Sequence, residues 1–183
     1  WALGSALGRP HAGAWAACLL AIWPGHVLCS TLTEKELLTG GFLPWLLLAT
    51  WQAGTAVGWT RLRLALCAGL VNGALLLLQP SLQLLLPLAG VLALLLGASW
   101  RRVLVVAVGV LLGTALLVTP WALRNQQVLD RPALVSSNGG SVLYRANNEL
   151  ANGVYQPRGA IELKGGGEVQ MDAQYKRLAV EWI

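Results

Sequence analysis

Apolar runs and short polar stretches alternate through residues 1–120 of the chain. Five apolar runs stand out, and they cover residues 12–28, 37–51, 64–78, 82–98 and 103–119. An α-helix needs about 20 apolar residues to cross a hydrocarbon core of about 30 Å, and residues flanking each run can complete that length. The pattern therefore predicts an all-α polytopic membrane protein with about five transmembrane helices in residues 1–120.

The third and fourth runs belong to a segment that is too long to be one span. No charged residue lies between Leu64 and Ser99, and a straight helix of that length would extend about 54 Å, nearly twice the thickness of the hydrocarbon core. Gln79-Pro80-Ser81 lies near its middle, and proline both interrupts a helix and favours a turn. The segment is therefore predicted to fold back at Gln79.

The stretch Thr119–Asn125 separates this apolar part from a polar one. Pro120 interrupts the backbone hydrogen-bond ladder, Trp121 favours the lipid headgroup level, and Arg124 and Asn125 favour water. The stretch predicts the end of the fifth span and the start of a soluble region at residues 121–183.

Residues 121–183 are predicted to begin a small α+β domain. Ala133–Val135 and Val142–Tyr144 are short apolar runs on either side of a Ser-Ser-Asn-Gly-Gly turn, which is typical of a hairpin. An amphipathic helix is predicted at the end of the chain, because apolar residues recur there at helical spacing. These residues are Tyr175, Leu178, Ala179, Trp182 and Ile183.

Composition and charge support the membrane class and indicate an orientation. Hydrophobic residues make up 56% of the chain and charged residues 11%, and the mean hydropathy is +0.60. The net charge of +5 comes from basic residues between apolar runs rather than from one polar surface, so no nucleic-acid partner is expected. Basic loops stay cytoplasmic. This rule places Arg9, Arg61, Arg63, Arg101 and Arg102 on the cytoplasmic side of the cytoplasmic (inner) membrane. It places residues 121–183 on the periplasmic or extracellular side.

The chain is expected to be a fragment of a longer protein. It begins with Trp1 rather than Met, and the apolar face of its last helix still needs a partner. Cys18, Cys29 and Cys67 are spread through apolar segments without the spacing of a metal site or a disulfide framework. They are predicted to be small apolar fillers.

The loop after the first run carries the clearest candidate chemistry. A carboxylate at Glu34 could accept a proton, and Lys35 could pair with an anion. The alternative is structural, because Thr33 and Glu36 match a capping box at the start of a helix. His26 is a candidate substrate-binding residue, and an interfacial polar position is its alternative, since nothing in the sequence orients the imidazole.

Four further polar residues are candidates for substrate binding. Arg124 suits a phosphate through its planar set of donors, and a snorkelling anchor at the interface is its alternative. Asn147 and Asn148 could bind sugar hydroxyls, although paired asparagines are also ordinary turn residues. Gln79 could hydrogen-bond a phosphate oxygen without charge assistance.

Several of these segments, taken in order, carry a family resemblance. They are Trp23–Glu34, Leu78–Pro87, Pro120–Asn125, Ser137–Gly140, Asn147-Asn148 and Gly153–Tyr155. Together they resemble successive segments of bacterial family 39 glycosyltransferases, which are related to protein O-mannosyltransferases and to the aminoarabinose transferase that modifies lipid A. The resemblance covers most of the chain, with matching topology.

The resemblance implies a GT-C-like membrane fold and a lipid-linked donor. A sugar would pass from a polyprenyl-phosphate carrier to an acceptor on the outer face of the cytoplasmic membrane. By resemblance, Glu34 matches the acidic residue of the second external loop and would be the catalytic carboxylate. Arg124 and Asn125 match the exit of a late span. Cationic groups or a divalent metal would stabilise the departing lipid phosphate.

The sequence departs from the family in two places, and two other functions compete. The family's principal catalytic Asp would lie upstream of Trp1, so the fragment is expected to be inactive alone. Gln79 is neutral where relatives commonly have a basic residue. A transporter or flippase of lipid-linked glycans would need polar residues at mid-depth, where this chain has Gln52, Asn72 and Gln83. A non-catalytic membrane scaffold would use the carboxylate loop only for helix capping.

Overall fold

The computed structural model describes residues 1–31, 35–95, 97–129, 135–136, 138–151, 153 and 167–183. Within these ranges every regular element is helical. The α-helices are α1 (Ala2–Ala6), α2 (Pro10–Ile22), α3 (Pro24–Thr31), α4 (Lys35–Thr55), α5 (Gly58–Leu78), α6 (Leu85–Leu95), α7 (Trp100–Leu129), α8 (Gly139–Ala146) and α9 (Glu168–Trp182), and Pro80–Leu84 forms a 3₁₀ helix. The chain divides into two compact units, unit 1 (Trp1–Thr119) and unit 2 (Pro120–Ile183).

Two helices are long and apolar enough to cross a membrane, which is fewer than the five spans predicted. Among the described residues these are α5, with 21 residues, and α7, with 30. α2 and the Pro80–Leu95 segment are apolar but shorter. Length and composition therefore support membrane association through α5 and α7, and five spans are not supported.

The other predicted spans differ from the structure for identifiable reasons. The run 12–28 divides at Trp23, whose backbone is extended (φ −63°, ψ 119°), because the residue before a proline is biased away from helical geometry. α4 is long enough, with 21 residues, but it is not one of the two helices that are apolar enough to cross a membrane. It includes the charged Lys35 and Glu36 and an internal proline, Pro44. α6 ends early at a C-cap formed by Gly97, whose φ is +87°. There the Ala98 N–H donates to the Ala93 carbonyl at 2.9 Å.

The predicted break at Gln79 is confirmed. α5 ends at Leu78, Gln79 adopts a non-helical backbone (φ −140°, ψ 87°), and Pro80 begins the 3₁₀ helix. The Leu82 N–H donates to the Gln79 carbonyl at 3.1 Å, which closes the turn. A missing N–H at Pro80 therefore ends α5 where the sequence predicted.

α5 and α7 pack through small residues and run in the same direction. A Cβ added to Gly69 would lie 2.8 Å from the Gly113 Cα, and one added to Gly73 would lie 3.0 Å from the Leu117 Cβ. One added to Gly109 would lie 2.6 Å from the Ala65 Cβ. The paired positions advance together along both helices, so the helices are parallel. Such close approach of backbones through small residues is typical of helix pairs in membranes.

A buried polar contact joins the same two helices. Asn72, which is 8% exposed, donates from Nδ2 to the Thr114 Oγ1 at 3.0 Å, and the Thr114 hydroxyl donates to the Gly69 carbonyl at 3.1 Å. Around this contact lies an apolar core that includes Leu46 of α4 and Leu75 of α5. Both polar side chains are therefore satisfied within the helix pair.

The alternating chain direction separates the charged ends of unit 1. α4 and α5 are antiparallel, because a short turn at residues 56–57 joins them and they pack along their length. The first turns of α5 and α7, which hold the arginine pairs, therefore lie at one end of the helix group. Lys35 at the start of α4 and Gln79 at the end of α5 lie at the opposite end.

Pro120 does not end the fifth helix as predicted. α7 continues through it to Leu129. Proline removes one ladder hydrogen bond, but the other residues from 116 to 127 include Leu, Ala, Arg and Gln, which are good helix formers. The free energy lost with one hydrogen bond is smaller than the stabilisation from the helical turns on either side of Pro120 in this helix of 30 residues.

Unit 2 contains helices where a strand pair was predicted. Val142–Tyr144 lies inside α8, and no strand occurs in the described part of the unit. Ala133 and Leu134, the start of the other predicted strand, lie outside the described residues. The prediction of an α+β domain is therefore not supported, and the described elements of this unit are helices.

A contact between distant residues explains why α8 forms. The Asp172 Oδ1 of α9 accepts a hydrogen bond from the Ser141 backbone N–H at 3.0 Å, in the first turn of α8. A carboxylate at this position satisfies a free donor and interacts favourably with the helix dipole. The Tyr144 and Tyr175 rings pack with centroids 5.5 Å apart. α9 thus supplies both the cap and the apolar partner of α8.

The predicted final helix is present, and its apolar face is partly covered. Ala179 is buried and Tyr175 and Leu178 are half-buried, as the helical spacing predicted. Trp182 and Ile183 are largely exposed. The covered part of the face is the part that lies nearer α8.

Candidate functional site

The structure brings His26 against α4, near the end of unit 1 that holds Lys35 and Gln79. A Cβ added to Gly40 would lie 2.9 Å from the His26 Cε1, so the imidazole rests on that glycine. Lys35 and Glu36 are exposed in the first turn of α4. Glu34 and Thr33 lie outside the described residues, so the catalytic role of Glu34 and the capping box stay predictions.

Gln79 lies at this same end of the α4–α5 pair and has an unusual environment. Its Oε1 is buried and has no hydrogen-bond partner among the described residues. A buried acceptor without a donor is costly, and a donor from elsewhere would stabilise it. A phosphate oxygen is itself an acceptor, so only the Gln79 amide NH₂ could serve the predicted phosphate contact.

A cavity of about 390 Å³ lies in unit 2 beside the last turns of α7. Its lining includes Trp121, Arg124 and Asn125 from α7, Ser136 and Asn138 from the segment before α8, and Glu168 from the start of α9. The volume falls in the range of small-molecule sites. Both polar residues predicted at the exit of the last span therefore line one concave site.

Aromatic stacking positions the Arg124 guanidinium at this cavity. Its Cζ lies 5.1 Å from the centroid of the Trp121 ring, one helical turn earlier. The Trp121 Nε1–H donates to the Val135 carbonyl at 3.4 Å, which holds the indole toward the segment before α8. A guanidinium stacked on a ring keeps its N–H groups at its edge, so they can donate to a planar or tetrahedral anion.

The other polar groups of the cavity differ in exposure and in hydrogen bonding. Asn125 is buried, with 7% of its surface exposed. The Ser136 hydroxyl donates to the Asn138 Oδ1, and the Asn138 backbone N–H donates to the Ser136 Oγ at 3.3 Å. These two bonds link Ser136 to Asn138 on the wall of the cavity. The described lining thus combines the Arg124 guanidinium, the Glu168 carboxylate and several neutral polar groups, a set suited to a ligand with a phosphate and hydroxyl groups.

Apart from Arg124 and Asn125, sequence reasoning missed the polar and aromatic residues that line the cavity, which are Trp121, Ser136, Asn138 and Glu168. Trp121 was noted only as an interface residue, and Ser136 and Asn138 belong to segments interpreted as turn chemistry. Glu168 carried no signal, because its place at the cavity depends on how α9 folds back. Only the spacing of Trp121 and Arg124, three residues apart on a helix, could have indicated their contact.

Asn147 and Asn148 form the C-terminal end of α8. The Asn147 Nδ2 donates to the Leu143 carbonyl at 2.9 Å, and the Asn148 Nδ2 donates to the Tyr144 carbonyl at 2.7 Å. The Asn148 Oδ1 accepts from the Leu150 N–H at 2.8 Å. These bonds match the turn interpretation, and neither residue lines the cavity beside α7. Their predicted contact with sugar hydroxyls stays a prediction.

The described residues offer no cluster of three or more His, Cys, Asp or Glu side chains that could hold a metal ion. Cys18 and Cys67 are free thiols. We therefore derive no step through the divalent metal that the family resemblance allows, and the chemistry of this site rests on Arg124 and its polar neighbours.

Comparison with protein-family models, with curated proteins and with solved structures finds no match to this chain.

Proposed function

We propose that this chain is part of a membrane glycosyltransferase that moves a sugar from a polyprenyl-phosphate donor to an acceptor at the outer face of the cytoplasmic membrane. The observation that carries the proposal is the cavity beside α7. A stacked guanidinium and a buried amide line it, and both belong to the C-terminal turns of α7, a helix that is long and apolar enough to cross a membrane. A lipid-linked phosphate needs a cation at that depth, because its isoprenoid tail stays in hydrocarbon while its charge stays near water.

The proposed reaction is a displacement at the anomeric carbon of the donor sugar. A carboxylate takes the proton of the acceptor hydroxyl, and the family resemblance gives that role to Glu34. The acceptor oxygen forms a bond to the anomeric carbon while the bond from that carbon to the phosphate oxygen breaks. The bonding pair leaves with the lipid phosphate, whose growing negative charge the Arg124 guanidinium stabilises.

The remaining lining residues suit the sugar. Asn125, Asn138 and Ser136 are neutral donors and acceptors, and Glu168 contributes acceptor oxygens. Hydroxyl groups of a hexose or pentose can donate to those oxygens. The carboxylate of Glu168 would repel a phosphate placed beside it. The phosphate is therefore assigned to the Arg124 side and the sugar to the Glu168 side.

The proposed orientation has the arginine pairs of α5 and α7 on the cytoplasmic side. The parallel packing of these helices supports it, because both pairs lie at one end of unit 1 and the basic end of a span stays cytoplasmic. α7 then carries Arg124 to the periplasmic or extracellular side, where a lipid-linked donor is available.

Transport of a lipid-linked glycan is the main rival. It would favour polar side chains that face a water-filled path at mid-depth. Asn72 is the buried polar residue at such a position in α5, and its amide donates to Thr114 of the neighbouring helix. This contact gives Asn72 a packing role, so it supplies no argument for transport.

The test is sugar transfer in membranes that contain the product of the complete open reading frame encoding this chain. The assay follows movement of labelled sugar from a polyprenyl-phosphate donor to endogenous acceptor. Arg124→Gln should raise the KM for the donor about 10- to 100-fold, because it removes a hydrogen bond from a charged donor to the phosphate. Glu34→Gln should instead lower kcat by 10²-fold or more, in line with loss of a general base.

The matched control is Arg177→Gln on α9, whose side chain is exposed and, among the described residues, forms an ion pair with Glu181 at 3.5 Å. It should leave KM and kcat unchanged. An equal loss in Arg124→Gln and Arg177→Gln would refute the assignment of the phosphate to Arg124. Movement of the intact donor across the bilayer, without sugar transfer in the unmodified protein, would refute the enzyme and favour the transporter.

A further inference from the structure

The end of unit 1 opposite Lys35 and Gln79 carries four arginines on two neighbouring helices. Arg61 and Arg63 lie in the first two turns of α5, and Arg101 and Arg102 lie in the first turn of α7. The parallel packing at Ala65 and Gly109 brings these turns to the same end. We call this set of four side chains the arginine patch.

No carboxylate in the described part of the chain pairs with the arginine patch. The chain contains no Asp or Glu between Leu37 and Leu129. Among the described residues, no ion pair involves any of the four guanidiniums. The first turns of α5 and α7 also lack acidic residues, although a helix normally favours anions there and disfavours cations. Four like charges at one end thus remain uncompensated within the described chain, and an external anion would offset their repulsion.

Two exposed tryptophans, of the residue type that favours a membrane interface, lie beside the arginine patch. Trp59 is 66% exposed and Trp100 is 63% exposed. The Arg63 Cζ lies 6.0 Å from the Trp59 ring centroid, and the Arg101 Cζ lies 5.5 Å from that of Trp100. Exposed indoles favour the headgroup region of a bilayer. A guanidinium beside such a ring would then lie at headgroup depth.

A third guanidinium is fixed by the backbone. The Arg61 Nε–H donates to the Ala56 carbonyl at 2.9 Å, in the turn between α4 and α5. That bond uses only the Nε–H, so the two terminal NH₂ groups of Arg61 take no part in it. Side chains that are already oriented lose little rotamer freedom when they bind, which favours a specific contact over a diffuse attraction.

We propose that the arginine patch binds the headgroup of an anionic phospholipid. Its phosphate would lie between the first turns of α5 and α7, and its acyl chains would lie along the exposed apolar surface of α7, which includes Leu104, Val105 and Val108. A headgroup phosphate fits both requirements of the patch, because it is an anion and it is fixed at the depth of the two tryptophans. This lipid site does not depend on the proposed transfer reaction.

The test is competitive lipid binding to the purified full chain in detergent, counted by native mass spectrometry. Short-chain phosphatidylglycerol and phosphatidylcholine are supplied at equal concentration. The unmodified chain should prefer phosphatidylglycerol, and each arginine removed should weaken that binding about fivefold at low salt. A variant with all four arginines changed to Gln should bind both lipids equally. Circular dichroism checks that the variant retains its helices.

A control variant changes Lys176 and Arg177 of α9 to Gln, which removes two positive charges from unit 2. It should keep the preference for phosphatidylglycerol. Equal binding of both lipids by the unmodified chain, or a preference that survives in the folded fourfold variant, overturns the proposal. Inorganic phosphate should weaken lipid binding no more than sodium chloride of the same ionic strength does, and a larger loss with phosphate would contradict a lipid site.

If the fourfold variant does not fold, two single variants decide the question. Arg63→Gln and Arg101→Gln each remove one exposed, stacked guanidinium and leave the helix contacts at Gly69 and Gly113 unchanged. A reduced preference in both supports the arginine patch. An unchanged preference in both refutes it.

Discussion

The helices inside unit 1 and the helices inside unit 2 are held together by different kinds of contact. In unit 1, α5 and α7 approach through glycines until backbone meets backbone, and one buried amide–hydroxyl pair joins them. In unit 2, α8 and α9 meet through a tyrosine pair and a carboxylate that caps a helix. Packing and internal hydrogen bonds must hold helices in lipid, where apolar burial gives no advantage. Burial and capping suffice in water. The difference teaches that α5 and α7 pack as helices in membranes do, whereas α8 and α9 pack as helices in water do.

The strongest test of this comparison is Gly113→Ala in unit 1. The added Cβ would lie 2.9 Å from the Gly69 Cα and 3.0 Å from the Leu70 N, and these backbone atoms cannot rotate away. We expect the free energy of unfolding in detergent to fall by about 2–3 kcal/mol, typical of an overpacked core. Denaturant titration followed by circular dichroism measures it.

The matched control for that change is Gly41→Ala in α4. A Cβ at Gly41 meets no atom within 4 Å, so alanine should leave stability unchanged or raise it by up to about 1 kcal/mol through helix propensity. Equal effects of the two alanines would show that the glycine contact between α5 and α7 does not hold unit 1 together.

The next largest effect is expected from Asp172→Ala in unit 2. It removes the acceptor of the Ser141 N–H, and loss of such a cap costs about 1–2 kcal/mol. Glu181→Ala on the same helix is the control, because its carboxylate is exposed and its ion-pair partner in the described part of the chain is the exposed Arg177, so its effect should stay within about 0.5 kcal/mol. Thermal unfolding followed at 222 nm compares them. If Asp172→Ala destabilises no more than Glu181→Ala, the cap is not what orders α8.

The smallest effect is expected from Thr114→Val in unit 1. Valine keeps the shape of threonine but removes the hydroxyl that bonds Asn72 and the Gly69 carbonyl. Hydrogen bonds between membrane helices average about 0.6 kcal/mol, so a loss of about 0.5–1.5 kcal/mol is expected. Thr50→Val is the control, since its hydroxyl donates only to the Leu46 carbonyl of its own helix at 2.7 Å. A larger loss at Thr50 would contradict a role for the polar pair in joining α5 to α7.

Local chemistry explains which parts of the fold the sequence predicted. The missing N–H of Pro80 ended α5, and the periodic spacing around Leu178 predicted α9, because both signals act within a few residues. The prediction that Pro120 ends the fifth span was wrong, because the loss of one N–H was outweighed by the length of α7. The prediction of a strand at Val142–Tyr144 was wrong too, because the contact that favours a helix comes from Asp172 in another element. Tertiary contacts override local preference at such places.

The candidate site, like the fold, was predicted only where the signal is local. Arg124 and Asn125 were identified by their position after an apolar run, which is a local signal. Their cavity was not predictable, because Ser136, Asn138 and Glu168 reach it only through the folding of unit 2. The pairing of Arg124 with Trp121 needed only helical geometry and could have been inferred. The role of Glu34 stays a prediction.

The glycine contact between α5 and α7 also limits how this sequence can diverge. Every other amino acid adds at least one side-chain carbon at Gly69 or Gly113, where backbone atoms already fill the space, so neither position has a conservative replacement. A change at one cannot be compensated by shrinking the other, because glycine is already the smallest residue. We therefore expect relatives of this chain to keep both glycines while the exposed leucines of α7 drift freely among apolar residues, which makes the pair a useful marker for recognising them.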